Sequence, residues 1–409
     1  MKISLPQNII AIISKINNCG YEAFLVGGCV RDLIMERNPN DWDIATNAST
    51  NAIKAIFTRT YNTGLKHGTV TAIYNGIKAE ITTYRKEAMY SDHRRPDFVI
   101  FTDTLTDDLS RRDFTVNSMA YHPEKGLTDP FNGLDDIKEG VIRCVGNPEK
   151  RFSEDALRML RAIRFSAQLG FKIEDKTFSA IKKYWSDLYY VSVERIQSEL
   201  NKILVSKEPQ KLYLLWKSGL SQVIFPDIKE LNDEWINYAK YFSDHGNKKT
   251  ILLSLLFLSA FKDMAKYYYK KLLKKLKYDN KTIRSVGLLI SCIEDLIIFS
   301  DRNLRKAVTE YGEEVAKNTI EIKTVCSKFT NAYRSFIIDR IGKDIVPLKA
   351  DISGLDLINA GLCSGPGIKE MLLILMHCIY EKTEVNNFDI LMSIAKSVAK
   401  SQISISDKP

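Results

Sequence analysis

The chain of 409 residues is 45% hydrophobic and 27% charged, and carries a net charge of +9. That length is too great for one ordinary core and predicts two or more domains, and the composition reads as that of an ordinary soluble globular protein. There is no apolar run of bilayer length, and the basic balance favours a polyanionic partner.

The first residues, Met1-Lys2-Ile3-Ser4-Leu5-Pro6, show neither a long apolar stretch nor a small-residue cleavage site, so no export signal is expected. Ala23-Phe24-Leu25-Val26 predicts a strand, Gly27-Gly28 a turn, and Arg31 to Leu33 the start of a helix. Asp41-Trp42-Asp43-Ile44-Ala45-Thr46 follows. Side chains alternate on a strand, so Asp41 and Asp43 share a face while Trp42 points to the core. A lone D-x-D is usually solvated charge, and a lone glycine pair is usually only a turn. Here both fall in one short strand–turn–helix–strand segment. Paired carboxylates repel each other unless a hard divalent cation holds them together. Glycines let a backbone approach phosphate, and Arg31 can grip its oxygens. The combination reads as nucleotidyl transfer.

Further along, Thr69–Tyr74 and Lys78–Tyr84 are rich in β-branched and aromatic residues, and Asn75-Gly76 between them predicts a hairpin. Glu80, on the second of these strands, is a candidate third carboxylate near the metal, or else a plain surface residue. The polar segment Arg85–Asp97 reads as a loop, followed by a strand at Phe98–Phe101. Arg111-Arg112-Asp113 suggests a grip on phosphate and sugar, although a surface salt-bridge cluster would look the same.

From about residue 150 the texture changes to helix after helix, with apolar residues at three- and four-residue spacing: Ala156, Leu157, Leu160 and Ile163, then Ile196, Leu200, Ile203 and Leu204. Ser153 is expected to cap a helix on which Asp155 and Arg158 are surface neighbours, with Arg161 and Arg164 at the same interval. The bland reading of Asp155 and Arg158 is an ion pair. The sharper one concerns base edges. Cytosine and adenine both present an amino donor beside a ring-nitrogen acceptor, whereas guanine and uracil present a carbonyl beside an N–H. A carboxylate with a guanidinium would therefore select C and A together. Ile251–Phe261 reads as a buried helix. Lys262–Arg284 is a lysine run interleaved with tyrosines, including Lys270, Lys271, Lys274 and Lys275; it is either a solvated face or a surface for an RNA backbone. Seven scattered cysteines, with no C-x-x-C spacing, argue against a disulfide framework or zinc site and fit a reducing cytoplasm.

Gly-Gly-x-Val-Arg-Asp, the D-x-D-Ile-Ala-Thr strand, Glu-Ile-Thr-Thr-Tyr-Arg, Arg-Arg-Asp-Phe-Thr-x-Asn and Glu-Asp-Ala-Leu-Arg occur in this order. Together they resemble the class II tRNA nucleotidyltransferases, the CCA-adding enzymes, which share these motifs with bacterial poly(A) polymerases. Ser118 and Met119 stand where that family often has Ala or Ile. The resemblance is dense over the first 200 residues or so and returns at Ile352–Leu357 and Gly365-Pro366-Gly367.

It implies an α+β fold: a polymerase-β-like head (1–140), then an all-helical neck (141–205), body (206–345) and tail (346–409), the tail binding tRNA. It also implies that Gly28, Arg31 and Arg112 contact the nucleotide and that Asp41 and Asp43 are catalytic and hold two Mg²⁺ ions. Asp155 and Arg158 would read the base, with Arg161 and Arg164 lining the same pocket. The activity implied is stepwise addition of C, C and A to tRNA from CTP and ATP. Poly(A) addition, partial (CC-only or A-only) addition and a catalytically dead RNA-binding protein remain open. In this family, enzymes that add only CC lack a flexible loop which this sequence retains at Glu87–Asp97.

Overall fold

The computed structural model describes residues 3–64, 67–88, 98–244, 248–326 and 331–406. The chain falls into two compact units, Met1–Lys249 with Lys275–Lys277, and Thr250–Lys274 with Tyr278–Pro409. The five ordered motifs lie in the first unit, and the later stretches at Ile352–Leu357 and Gly365-Pro366-Gly367 in the second.

That unit opens with α1 (Gln7–Asn17), β1 (Ala23–Val26), α2 (Gly28–Ile34), β2 (Trp42–Thr46), α3 (Thr50–Ile56), β3 (Thr60–Gly64), β4 (Thr69–Tyr74) and β5 (Ile77–Thr83). There follow β6 (Arg85–Ala88), β7 (Phe98–Phe101), α4 (Leu105–Ser110), a 3₁₀ turn at Thr115–Asn117, β8 (Ala120–His122), β9 (Gly126–Thr128) and α5 (Gly133–Glu139). Seven strands form one mixed sheet in the order β3-β4-β5-β2-β1-β8-β9. Only β2 and β5 run parallel in it, with Asp43 opposite Glu80.

Alternation along β2 sends Ile44 into one apolar layer, with Leu25, Val70 and Ile81, and Ala45 into the other, with Phe24, Val26 and Tyr84. Trp42 packs against the first layer, as the alternation requires, while Asp41 stands just before the strand rather than on it. The expected hairpin forms between β4 and β5: Asn75 and Gly76 both take positive φ, 47° and 78°, as a two-residue primed turn demands. The helix expected from Arg31 begins earlier, at Gly28. Arg85–Ala88, read as loop, pairs antiparallel with Phe98–Phe101. The remainder of the Glu87–Asp97 loop, from residue 89 onward, lies outside the described residues.

Beyond β10 (Val141–Ile142) come α6 (Pro148–Glu154), α7 (Leu157–Leu169), β11 (Lys172–Ile173), α8 (Asp175–Tyr184) and α9 (Val193–Leu204). The helix around Ser153 differs from the expectation. Ser153 lies inside α6, where its hydroxyl donates to the Lys150 carbonyl. The helix breaks at Asp155, whose backbone is extended (φ −143°, ψ 103°) and whose carboxylate accepts the Leu157 N–H at the start of α7. One long helix is thus two, hinged at the motif.

The first unit ends through α10 (Leu214–Ser218), α11 (Ser221–Ile224) and α12 (Asp233–Tyr241) into the first residues of α13 (Lys248–Phe261). Ile251–Phe257 in α13 are buried, as the apolar run predicts. The second unit is helical, from α14 (Ala265–Lys275) and α15 (Asn280–Asp295) through α16 (Asp301–Tyr311), α17 (Glu313–Cys326) and α18 (Asn331–Arg340) to α19 (Gly354–Asn359), α20 (Pro366–Glu381) and α21 (Phe388–Ser406). Separate apolar clusters hold it, one on Leu304 and Ile320, another on Leu357 and Leu375. No helix among the described residues is long and apolar enough to cross a membrane. The six cysteines whose side chains are described are all free.

One close approach fixes the 3₁₀ turn that carries Asn117. The amides of Gly133 and Leu134 donate to the Asp129 carboxylate, each at 2.8 Å, so α5 starts hard against Thr115. A Cβ on Gly133 would stand 2.3 Å from the Thr115 carbonyl oxygen. Gly133→Ala should therefore destabilise the protein by about 1–3 kcal/mol, as overpacking does. Urea unfolding checks this, and an unchanged midpoint contradicts it.

Candidate active site

The turn after β1 builds the first wall. Gly27 has φ +78° and ψ −138°, a conformation that is essentially glycine's own. A Cβ there would lie 2.8 Å from Arg112 Nη1 and 3.6 Å from Asp43 Oδ2. The backbone is thus pressed against a guanidinium and a carboxylate at once. From α2, Arg31 donates to Asp32 at 2.7 Å and to the Asn117 Oδ1 at 2.6 Å, which fixes its direction.

Burial pushes the Asp43 carboxyl above its ordinary value; Arg112 opposes this, and the charges of Glu80 and Asp41 add to the rise. A carboxylate crowded in this way gains from a cation. Among the described residues no group of three His, Cys, Asp or Glu side chains is gathered for a metal. Glu80 faces Asp43 across the parallel pair but is not one of the residues lining the cavity. Cys29 lies beside this wall, its thiol donating to the Val26 carbonyl, and burial pushes it up to about 11, so it stays protonated.

Most of the rest of the lining comes from the arginine motif, from Asp155 between α6 and α7, and from α7 and α9. Asp108, fully buried, takes Arg111 at 2.7 Å and Arg112 at 3.0 Å. Burial would raise Asp113, yet Arg161, paired with it at 2.5 Å, holds it down at about 2. Asp155 and Arg158 do not form the ion pair that i, i+3 spacing on one helix suggests. Because the chain turns at Asp155, each finds another partner. Arg158 donates to Glu154 at 2.6 Å and to the Arg111 carbonyl at 3.1 Å. Asp155 is gripped by both Nη atoms of Arg195, at 3.2 and 2.7 Å. Arg164 pairs with Glu199 at 2.6 Å.

These walls enclose one cavity of about 1020 Å³. Gly28, Arg31, Asp41, Asp43, Arg112, Asp155, Arg158, Arg161 and Arg164 all line it. Residues some 130 positions apart in sequence are thus brought to one site. Lys270, Lys271, Lys274 and Lys275 do not line it; they are exposed on α14, whose Leu272 and Leu273 face inward. The tyrosines of that run mostly pack: Tyr268 stacks on Phe261 at 4.4 Å, Tyr269 meets Phe257 edge-on and Tyr278 is buried, whereas Tyr267 is exposed. Lys266 and Lys277 are engaged by Glu294 and Glu194.

Sequence reasoning missed Arg195, Glu199 and Lys202, and with them Phe165. The first three recur at i, i+4 and i+7 on a helix whose apolar side is Ile196, Leu200 and Ile203, a charged stripe that marks a helix face. Nothing in that spacing says which helix the stripe meets. Eight arginines and Lys202 line the cavity against five aspartates, so it carries net positive charge and suits a polyanion.

Residues 23–143 match the Poly A polymerase head domain, and residues 170–231 match the probable RNA and SrmB-binding site of polymerase A. The CCA-adding enzyme of Lactobacillus gasseri is 36% identical over 95% of this chain and 97% of its own. That of Ligilactobacillus salivarius is 36% identical over 97% and 98%. Among solved structures, the Bacillus stearothermophilus CCA-adding enzyme in complex with CTP superposes with a TM-score of 0.80 at 29% identity, covering 97% of this chain and 98% of that one. With near-complete coverage by such relatives and the motifs assembled around one cavity, the chain belongs to the CCA-adding enzymes, the class II tRNA nucleotidyltransferases.

Proposed function

We propose that the protein adds C, C and A to the 3′ end of tRNA from CTP and ATP, without a nucleic-acid template, releasing pyrophosphate. The observation that carries this reading is the meeting of two chemistries in one basic cavity: the Asp41/Asp43 pair and the Asp155/Arg158 pair. The relatives are named for CCA addition, and the B. stearothermophilus structure holds CTP.

In this reading Gly28, Arg31 and Arg112 receive the triphosphate, with Arg161 and Arg164 in the same wall. Asp155 reads the amino group of the base. A carboxylate offers about four lone-pair sites; Arg195 and the Leu157 N–H take three, so an exocyclic amine has one to use. Arg158 donates to the ring nitrogen. Guanine and uracil offer the reverse pattern and are rejected.

Membership of this family implies a divalent metal, and the crowded carboxylates fit one. We assign it as Mg²⁺ held by Asp41 and Asp43, with Glu80 as a neighbouring charge or third ligand. When bound, it would stabilise charge on the transferring phosphate and lower the pKa of the attacking 3′-hydroxyl. We further assign residues 1–140 as head, 141–205 as neck, 206–345 as body and 346–409 as tRNA-binding tail. The exposed lysines of α14, Lys270, Lys271, Lys274 and Lys275, are our candidates for contact with the tRNA backbone.

Incubating the protein with tRNA lacking its 3′ end and each nucleoside triphosphate, then sequencing the product ends, tests the whole reading. Ends in CCA are expected; A-tracts would identify a poly(A) polymerase, and unextended tRNA an inactive RNA-binding protein.

Asp41→Asn or Asp43→Asn should abolish addition while tRNA affinity stays within about threefold, because only the charge that holds the metal is removed. Substantial turnover in saturating Mg²⁺ would remove these residues from the metal site.

Asp155→Ala and Arg158→Ala should each lower use of CTP and ATP and relax rejection of UTP and GTP, by about 1–3 kcal/mol of discrimination. Steady-state kinetics with all four nucleotides reads this directly. Unchanged selectivity in both variants would leave the two residues with a purely structural role.

Changing Lys270, Lys271, Lys274 and Lys275 together to Glu should raise KM for tRNA and reduce the salt slope of binding by about 0.9 for each phosphate no longer neutralised. The KM for CTP should not move. Wild-type tRNA affinity across a salt titration would direct the tRNA path elsewhere.

A further inference from the structure

Three guanidiniums of the cavity share one aromatic ring. The Arg164 Cζ lies 3.7 Å from the centroid of Phe165, that of Arg161 5.3 Å and that of Arg31 5.4 Å. Arg31 comes from α2, against the sheet; the other two come from α7. On α7, positions 161, 164, 165 and 168 fall on one helical face, so the ring sits between its own helix's arginines and reaches the one from α2. The ring itself is held. Phe114 meets it edge to face, with centroids 5.7 Å apart and planes at 76°. Phe165 is 5% exposed, and what little it exposes faces the cavity it lines.

Each of the three arginines also has a carboxylate: Asp32 for Arg31, Asp113 for Arg161 and Glu199 for Arg164. Asp32 shares α2 with Arg31, whereas Asp113 follows α4 and Glu199 lies on α9, so each guanidinium is fixed by a separate acid. Those pairs do not explain why three like charges converge. Burial and the repulsion of Arg161 bring Arg164 down to about 10, which shows how crowded the cluster is. A ring face carries negative charge density, and a cation within about 6 Å of its centroid is attracted to it. The ring therefore supplies attraction at the point where the three repel.

We propose that Phe165 is a positioning residue for the triphosphate: its ring gathers Arg31, Arg161 and Arg164 into a preassembled anion receptor. This rests on the reading of the cavity as the nucleotide site. Preassembly matters because each long arginine that must be immobilised on binding costs rotamer freedom, and the ring meets that cost in the folded protein before the nucleotide arrives. The role is separate from base reading, which falls to Asp155 and Arg158.

The test compares Phe165→Leu, which removes the ring face, with Phe165→Tyr, which keeps it. Binding is measured by calorimetry with inorganic tripolyphosphate without metal and with CTP, alongside KM and kcat for CTP, ATP and UTP. Phe165→Leu should weaken tripolyphosphate and CTP, and raise KM for CTP and ATP, by about tenfold, the effect of removing cation–π attraction from a desolvated site. The CTP-to-UTP preference should hold, and Phe165→Tyr should bind within about threefold of wild type.

Wild-type tripolyphosphate affinity in Phe165→Leu overturns the proposal, as does a loss of base preference in step with affinity, which would mean general collapse of the pocket. If Phe165→Leu does not fold, Phe165→Met carries the same comparison. Arg31→Ala separates the two layers of inference. If it weakens tripolyphosphate while Phe165→Leu does not, only the role of the ring falls. If neither variant weakens it, the cavity is not the triphosphate site and the functional reading falls too.

Discussion

The site depends on holding a surplus of guanidinium charge in one partly buried cavity. An unpaired buried charge is strongly unfavourable, and removing one partner of a buried pair costs about 3–5 kcal/mol. The protein answers with carboxylates placed behind the arginines. Asp108, with no exposed side-chain surface, holds Arg111 and Arg112; Glu154 holds Arg151 and Arg158; Glu199 holds Arg164 and Lys202. These acids belong to α4, α6 and α9; Glu154 ties α6 to α7 through Arg158, and Glu199 ties α9 to α7 through Arg164. What remains on the cavity side is a surplus of positive charge held in place, which suits a polyanion.

At the Asp43 end the same crowding makes Gly27 obligatory. Its backbone conformation excludes a side chain, and the volume a side chain would fill belongs to Arg112. Arg112 is the counterion that keeps the buried Asp43 tolerable between Asp41 and Glu80. Asp108 in turn fixes Arg112, so the counterion of Asp43 is held by a residue that does not line the cavity.

The Asp113–Arg161 pair gives the site a constant charge. With its folded value down at about 2, below the ordinary 3.8, Asp113 is ionised at any physiological pH. Its contribution to stability is fully present above the ordinary carboxylate range and is lost only as the pH falls through that range toward 2. That pair therefore keeps its charges throughout the physiological range.

Local signals determined a good deal on their own. The β1–turn–α2–β2 segment, the Asn75-Gly76 hairpin and the helical texture after residue 150 all follow from short-range periodicity and turn chemistry, and the structure has them. That Trp42 and Asp43 face opposite sides of the sheet followed from strand alternation. The ordered motifs named residues that the fold gathers around one cavity, because a motif survives translation into three dimensions when its members share one turn or one strand.

Tertiary structure alone decided the pairings. Sequence spacing joined Asp155 to Arg158, but the extended backbone at Asp155 breaks the helix and hands the carboxylate to Arg195, 40 residues on. The Arg85–Ala88 strand needed Phe98–Phe101 beside it to exist, since a polar segment has no apolar alternation to announce a strand. Phe165 read as one more apolar residue on α7. Its contact with Arg31, 134 positions away, required the sheet and the helix to meet, and no periodicity within either encodes that meeting.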